Sequence, residues 1–249
     1  MTVTTADLGA ARVVSWDRQA RLNAWDLATM TAIADAIEAA AADPEVRCVM
    51  LRGAGEHFSA GDDLQSAIEA DLEEWAATIE GFQRLTRVVL AAPVPALAVV
   101  DGVCVGGALE FAASCDLRLC SNRVRLLTPE VGIGLVASNA GTLLLPEVLG
   151  ESAARELLLS GEERDAEWAR EHGFATEFVA PEGLDKRIQH WAEVFSRTSR
   201  DAVAATKAML NERFGQLLPA AMDRETQHCV RLFDEPDAQA ALSAFAKRR

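Results

Sequence analysis

The stretch covering residues 95–117, with the sequence PALAVVDGVCVGGALEFAASCDL, constrains the fold of this chain more than any other. It opens with a nearly continuous apolar run at residues 96–100, which is typical of a strand buried on both faces. The dipeptide Asp101-Gly102 ends this run, and Gly106-Gly107 then leads into a helical pattern over residues 108–114. A buried strand joined to a helix by a glycine-containing turn favours an α/β architecture.

The glycines at the start of this helix also carry chemical information. With no Cβ at Gly106 or Gly107, another group can approach the backbone closely. The first amides of a helix lack intrahelical partners and lie at the positive end of its dipole, so they suit an oxygen that gathers negative charge. Glu110 lies three residues after Gly107 on the same side of the first turn, which places a carboxylate beside that oxygen. The alternative is a glycine-tightened turn with a solvent-facing Glu110.

Charge and composition restrict the classes of function. The chain of 249 residues has a formal net charge of −14, which argues against a nucleic-acid surface, although local basic side chains still permit an anionic small ligand. Its five cysteines are odd in number and scattered, which indicates buried thiols and a reducing compartment. No Cys/His spacing resembles a metal site, no signal peptide is apparent, and the apolar runs are too short to span a bilayer. We therefore expect a cytoplasmic protein with no metal, no nucleic-acid partner and no membrane association.

The first 145 or so residues alternate between strand and helix patterns. Strands are predicted at residues 11–16, 46–51 and 116–120, with residues 2–5 as a short partner of the first, and helices at 27–42 and 74–90. This alternation predicts an α/β fold with parallel pairing. The loop HFSAGDDLQSA, at residues 57–67, is a second place where glycine-containing backbone arrives at a helix start.

The pattern changes after residue 145 and becomes mostly helical. Helices are predicted at residues 151–160, 165–172, 184–199, 202–214 and 219–233, with one last strand at 174–179. The alanine-rich faces of these helices suit packing against a neighbour.

Several motifs, taken in chain order, resemble the enoyl-CoA hydratase/isomerase superfamily, also called the crotonase superfamily. Any one of them alone is a weak signal, but their order and spacing together are specific. The resemblance covers nearly all of the chain after the first ten residues. The segments that carry it are RLNAW at 21–25, VRCVMLRGAGEHFSAGDDL at 46–64, VDGVCVGGALEFAASCDLRL at 100–119, TPEVGIG at 128–134, LSGEERDAEWAREHGFATEFV at 159–179 and the closing AFAKRR.

The resemblance implies a core built as a spiral of ββα turns over residues 1–195, followed by a C-terminal helical trimerisation region at residues 196–249. The implied assembly is a homotrimer or a dimer of trimers. The substrate would be an acyl group on coenzyme A, or on the phosphopantetheine arm of a carrier protein, and no cofactor would be bound permanently. The backbone amides of Asp62 and Gly107 would form an oxyanion hole for the thioester oxygen, in agreement with the inference from the glycine turn.

In the hydratase branch of this family two glutamates do the acid–base work, and both have counterparts here. By the resemblance, Glu110 would position and activate the attacking water, and Glu130 would supply the proton to the α-carbon. For Glu130 the alternative is a surface acid in a loop. The family uses a glycine amide to help hold the water, and Ser138 stands at that position. It lies within ASNAG at 137–141, which departs from the usual Pro-Gly-x-Gly-Gly run and puts the identity of the acyl group in question.

The resemblance also suggests contacts to coenzyme A. Backbone groups of Ala60, Asp62 and Leu64 would meet the adenine end of the molecule. The basic side chains of Arg21, and of Arg248 in an adjacent subunit, would meet the phosphates, with a plain surface charge as the alternative at each Arg.

The predicted function is that of an enoyl-CoA hydratase, a lyase that adds water to an α,β-unsaturated acyl-CoA. Trp25 and Trp75 are candidate walls of the acyl pocket, although core packing is the favoured interpretation for both. Three alternatives stay open: a Δ-isomerase, a decarboxylase or C–C-bond enzyme with the same oxyanion hole, and a non-catalytic subunit. Because a proton shuttle needs only one acid, the requirement for both Glu110 and Glu130 discriminates hydration from isomerisation.

Overall fold

A computed structural model describes residues 2–246 of the chain. The strands of this range are β1 (Thr2–Leu8), β2 (Ala11–Asp17), β3 (Cys48–Gly53), β4 (Ala96–Val100), β5 (Val103–Val105), β6 (Leu117–Ser121), β7 (Arg125–Leu127) and β8 (Glu177–Val179). The helices are α1 (Leu27–Ala42), α2 (Leu64–Glu69), α3 (Leu72–Ala91), α4 (Gly107–Ser114), α5 (Gly141–Leu149), α6 (Glu151–Ser160), α7 (Ala166–Glu171), α8 (Leu184–Ser196), α9 (Arg200–Asn211), α10 (Leu217–Phe233) and α11 (Pro236–Ala246).

The main sheet has six strands in the order β1-β2-β3-β4-β6-β8. β1 pairs antiparallel with β2, and every following pair in this sheet is parallel, which confirms the predicted parallel α/β core. Helices cover both faces: α1, α3 and α4 pack on one, and α8 packs on the other. Because both faces are covered, β4 is buried at all five positions, as its unbroken apolar run predicts.

A second, smaller layer lies beside the main sheet. In it β5 pairs with β7 in parallel, and Ser59 joins the edge of β5 through a single bridge to Cys104. The chain therefore passes repeatedly from the main sheet to this layer and then into a helix, which gives the expected ββα spiral. Neither β5 nor β7 is predicted from the sequence, because each has only three residues and carries no alternating pattern long enough to recognise.

Local signals explain where the long helices begin. Asp26 caps α1 by accepting a hydrogen bond from the Thr29 amide at 2.8 Å. Asp71 and Glu74 form a reciprocal capping box at the start of α3, so this helix begins two residues before the predicted position. Within residues 2–246, no helix combines the length and the apolarity needed to cross a bilayer.

The C-terminal helices pack back onto the core of the same chain. Phe233 at the end of α10 and Leu242 of α11 join an apolar cluster with Trp75 and Ile79 of α3. α11 has no counterpart among the helices predicted from the sequence. This packing brings α10 and α11 against the side of the core where the glycine turns lie.

Candidate active site

The loop before α2 runs alongside β5 and brings two stretches of backbone together. The Ser59 amide donates to the Val103 carbonyl at 3.0 Å, and the Val105 amide donates to the Ser59 carbonyl at 3.1 Å. Gly61 has a φ of +80°, and a Cβ placed there would lie 2.5 Å from the Val105 carbonyl oxygen. Position 61 therefore needs glycine, because a side chain would push the loop away from β5.

Two backbone amides are left without an acceptor where these stretches meet. Among the residues that the structure describes, nothing accepts a hydrogen bond from the amide of Asp62 or of Gly107. Gly107 is the first residue of α4, and Gly106 before it has a φ of +58°. Both amides belong to residues that line the same cavity. This arrangement suits a developing oxyanion, which is the role that the sequence analysis predicts for these two amides.

The cavity has a volume of about 60 Å³ and mostly apolar walls from α3 and from residues 133–136. Its lining residues are Ala60, Asp62, Leu64, Trp75, Thr78, Ile79, Phe82, Val105, Gly106, Gly107, Pro129, Glu130, Ile133, Leu135, Val136 and Ser138. A concave apolar space with a few polar groups is typical of a small-molecule site.

Glu110 is held rigidly on α4, where it is only 1% exposed. Its Oε2 accepts hydrogen bonds from the amides of Asn139 at 2.7 Å and Gly141 at 3.0 Å, while its buried Oε1 has no partner among the described residues. A Cβ at Gly141 would lie 2.6 Å from Oε2, so glycine at this position lets the carboxylate approach the backbone. The alternative of a solvent-facing Glu110 does not hold.

Glu130 begins a short 3₁₀ turn (Glu130–Ile133) and lines the cavity directly. Its buried Oε2 has no hydrogen-bond partner within residues 2–246. A Cβ at Gly106 would lie 2.7 Å from its Oε1, so this carboxyl faces the backbone next to the Gly107 amide. The residue is half-buried as a whole, but its carboxyl Oε2 is buried at the cavity, so Glu130 is not a surface acid.

Burial changes the protonation of both carboxyls. Desolvation raises the pKa of Glu130 to about 7, and the charge of Glu225 contributes in the same direction. Desolvation also raises the pKa of Glu110 well above its ordinary value, with contributions from Glu225 and Glu130, while the amides of Asn139 and Gly141 lower it. Because Glu110 accepts two amide hydrogen bonds that Glu130 lacks, Glu110 is the better position for a negative charge. The pair therefore suits one base and one acid.

Glu225 of α10 is a third buried carboxyl, which the sequence analysis did not identify. It is 4% exposed and accepts hydrogen bonds from the amides of Ala140 at 2.6 Å and Thr142 at 2.9 Å. The sequence offers one signal for it, since Met222, Glu225 and Cys229 share one face of a predicted helix. An acid on an otherwise apolar face is unusual unless it is paired or hydrogen-bonded.

The remaining predicted site residues fall into different places. Ala60, Leu64 and Ser138 line the cavity, and the Ser138 carbonyl accepts a hydrogen bond from Gln83 Nε2 at 2.9 Å. Arg21 is exposed on the surface, in a 3₁₀ turn at Gln19–Arg21. Arg248 lies outside the described residues.

Of the two tryptophans predicted as candidates for the acyl pocket, one lines the cavity and the other does not. Trp75 lines the cavity. Trp25 does not, and its assignment to the acyl pocket is corrected: it is fully buried between Trp16, Phe58 and Phe111, with its ring at edge-to-face angles to all three. Core packing, which the sequence analysis favoured, is its role because the aromatic cluster closes around it.

Asp62 carries a carboxyl that the amide of an oxyanion hole does not need. Desolvation, together with the charge of Asp63, raises the pKa of this carboxyl to about 7. Its Oδ2 is buried with no partner among the described residues. Ionisation of Asp62 therefore destabilises the folded protein.

We expect Asp62→Asn to raise the free energy of unfolding by roughly 1–3 kcal/mol at about pH 8. The folded pKa of about 7 lies above the ordinary value of 3.8, so the wild type loses stability as the pH rises between these values, whereas an amide does not titrate. Urea unfolding at several pH values measures the difference in free energy of unfolding between this variant and the wild type. The difference should shrink as the pH falls and vanish below about pH 4. The exposed Asp223→Asn is the control, and a gain equal at every pH would contradict this origin.

The parallel ββα spiral, with paired amides at its glycine turns, defines a crotonase fold. The family model for enoyl-CoA hydratase/isomerase matches residues 9–249. The chain belongs to this family.

Individual relatives agree with this assignment. The chain is 30% identical to crotonyl-CoA hydratase of Syntrophomonas wolfei, over 94% of this chain and 90% of that protein. It is also 30% identical to short-chain-enoyl-CoA hydratase of Clostridium acetobutylicum, over 97% of this chain and 93% of that protein. The crystal structure of an enoyl-CoA hydratase from Mycobacterium avium subsp. paratuberculosis K-10 matches with a TM-score of 0.89 at 28% identity, covering 99% of this chain and 96% of the other.

Proposed function

We propose that this protein is an enoyl-CoA hydratase that catalyses syn addition of water to an α,β-unsaturated acyl-CoA thioester. The observation that carries the proposal is the placement of two carboxyls. Glu130 lines the cavity together with the residues of the two free amides, Asp62 and Gly107, while Glu110 lies on the first turn of α4 and is held by the amides that follow the lining residue Ser138. Hydration needs a base for the water and an acid for the α-carbon, and this site offers one group for each.

In the proposed reaction Glu110 takes a proton from water as the water oxygen bonds to the β-carbon. The electrons of the double bond move toward the thioester oxygen, where the amides of Asp62 and Gly107 stabilise the developing negative charge. Glu130 then gives its proton to the α-carbon, and the carbonyl reforms. One proton must pass from Glu110 back to Glu130 before the next turnover, which balances the cycle.

The size of the cavity supports a short acyl group as the substrate. A volume of about 60 Å³ leaves little room, which favours a short acyl chain over a long one. Trp75 closes the cavity by stacking on Phe233, with ring centroids 4.6 Å apart and an interplanar angle of 11°. On its other side Phe233 borders a surface depression beside Asp71, so this stack separates the cavity from solvent.

We expect the protein to hydrate crotonyl-CoA and to lose at least about 10-fold in kcat/KM between four-carbon and ten-carbon enoyl-CoA substrates. Loss of the enoyl-thioester absorbance measures the rate. Trp75→Ala opens the wall, so this variant should reduce the difference between short and long chains.

Two other outcomes would contradict these proposals separately. Equal kcat/KM across the panel would show that the Trp75 wall does not limit chain length. No hydration of any enoyl-CoA, with acyl-CoA binding retained, would overturn the hydratase assignment and favour isomerisation or decarboxylation at the same oxyanion hole.

We also propose that three copies assemble through the C-terminal helices. A groove of about 810 Å³ lies between the end of α4 and α9, remote from the paired amides. Apolar side chains on the same region are exposed, with Met209 at 67%, Leu210 at 66% and Leu217 at 54%. Such a surface favours contact with another chain.

We propose that coenzyme A binds at the cavity mouth near Ala60, within reach of basic side chains such as Arg21.

A further inference from the structure

We propose that Glu225, on the C-terminal helix α10, is a positioning residue that fixes the active-site loop at residues 139–142 and, through it, the carboxylate of Glu110. This inference rests on the proposed function, because it gives Glu225 a part in placing the catalytic base. It also makes α10 a component of the active site of its own chain.

The geometry that carries the proposal is an alternation of four successive amides between two carboxylates. The amides of Asn139 and Gly141 donate to Glu110 Oε2 at 2.7 and 3.0 Å. The amides of Ala140 and Thr142 donate to Glu225, at 2.6 Å to Oε2 and 2.9 Å to Oε1. Both carboxylates therefore bind the same loop. A shift of Glu225 would move the amides that bind Glu110, and a shift of Glu110 would move those that bind Glu225.

The conformation of the loop explains why it needs this support. Ala140 has a φ of +59°, a left-handed conformation that a residue with a Cβ adopts at a cost. As the residue that caps α5, Ala140 also has no side chain able to satisfy the first amides of that helix. Glu225 fulfils this capping role from a distant part of the sequence, and it additionally accepts a hydrogen bond from the Thr142 hydroxyl.

Glu225 has no other evident reason to be a buried acid. It occupies the apolar face of α10, between Met222 and Cys229, where a hydrophobic residue would pack without desolvation cost. Its hydrogen-bond donors are all uncharged. No group of three or more His, Cys, Asp or Glu side chains within residues 2–246 is suited to hold a metal ion, so the three glutamates do not form a metal site.

The charge of Glu225 also acts on the catalytic pair. It raises the pKa of Glu110 and of Glu130, and the other titratable group that senses it is the thiol of Cys229. On α3, the Arg87 guanidinium contacts the Met222 sulfur at 3.7 Å and pairs with Glu80. Removing the charge of Glu225 should therefore lower the pKa of Glu130, the proposed general acid.

The test compares Glu225→Gln with the wild type in hydration of crotonyl-CoA. Glutamine keeps the volume but offers one acceptor oxygen, so one of the two loop amides would face an NH₂ group. We expect kcat to fall about 10- to 100-fold, as a small displacement of a catalytic group does, with KM changed less than about threefold. The alkaline limb of the kcat profile should move to lower pH. Asp223→Asn, an exposed acid on the same helix, is the matched control and should leave kcat unchanged.

A double mutant separates positioning from simple stabilisation. If Glu225 acts through Glu110, Glu225→Gln should cost less than about threefold in a Glu110→Gln background. Equal losses in both backgrounds would contradict the proposal. Should Glu225→Gln fail to fold, Glu225→Asp keeps the charge but withdraws the oxygens, so it should lower kcat without moving the alkaline limb.

Failure of this inference and failure of the proposed function give different results. A wild type that hydrates enoyl-CoA, together with a folded Glu225→Gln variant of unchanged kcat and pH profile, would overturn only the role of Glu225. A wild type with no hydration on any enoyl-CoA would overturn both.

Discussion

Glu110→Gln and Glu130→Gln are each expected to lower kcat for hydration of crotonyl-CoA by about 10³-fold, with KM changed less than about threefold. Neither glutamine can take a proton from water or give one to the α-carbon. Both substitutions keep the shape of the side chain, so the cavity and the two oxyanion amides should persist. Steady-state kinetics, with acyl-CoA binding measured by calorimetry, separates the chemical step from binding.

The two variants together discriminate hydration from isomerisation. An isomerase that moves a proton between carbons needs only one of the acids, so one variant would retain most of the activity. Collapse in both supports two-carboxyl hydration. Retention of more than about a tenth of the wild-type kcat in Glu130→Gln would contradict the role of Glu130 as the proton donor.

The wild-type pH profile gives an independent check on the same assignment. Glu130 must be protonated to act as an acid, and burial raises its pKa to about 7. Loss of the Glu130 proton should therefore make kcat decline above this value, while protonation of the Glu110 base produces a separate acid limb. In Glu130→Gln, which has no proton to lose at this position, the residual rate should lack that alkaline decline.

The features that could be predicted from sequence are those with a local cause. The strand at residues 96–100 follows from an unbroken apolar run, and the helix that begins at Gly107 follows from the glycine pair before it. The same local logic predicts that the amide of Gly107 and the carboxyl of Glu110 lie together, and the structure places both at the first turn of α4. Asp62 and Glu130 are predicted as site residues from the resemblance, through the order of the motifs.

The features that could not be predicted depend on contacts between distant parts of the chain. Its place on an apolar face marks Glu225 as unusual in the sequence, but only the packing of α10 against α5 brings it to the loop at 139–142. For Trp25 the sequence favours core packing but leaves a place in the acyl-pocket wall open, and its aromatic neighbours in space decide for the core. Tertiary contacts, which periodicity does not reveal, assign the role of each residue.

Gly107→Ala is expected to lower kcat by about 10²-fold, as loss of one oxyanion donor does. A Cβ at this position would lie 2.5 Å from the Phe82 ring, which is buried and cannot swing into solvent. Either the ring or the start of α4 must move, and a shift of the helix start carries the Gly107 amide away from the substrate oxygen. Overpacking of this kind also lowers the free energy of unfolding by about 1–3 kcal/mol.

Phe82→Leu tests whether contact between the new Cβ at position 107 and the Phe82 ring causes the loss of kcat. Leucine leaves room for the added methyl group, so the double variant Gly107→Ala/Phe82→Leu should recover at least about 10-fold of the kcat lost in Gly107→Ala. Phe82→Leu alone controls for the change in the cavity wall. A double variant as slow as Gly107→Ala would show that contact with the ring does not displace the amide. Full activity in Gly107→Ala would show that the ring yields. Recovery in the double variant would instead show that the reaction rate depends on the position of the Gly107 amide, as expected of a donor in an oxyanion hole.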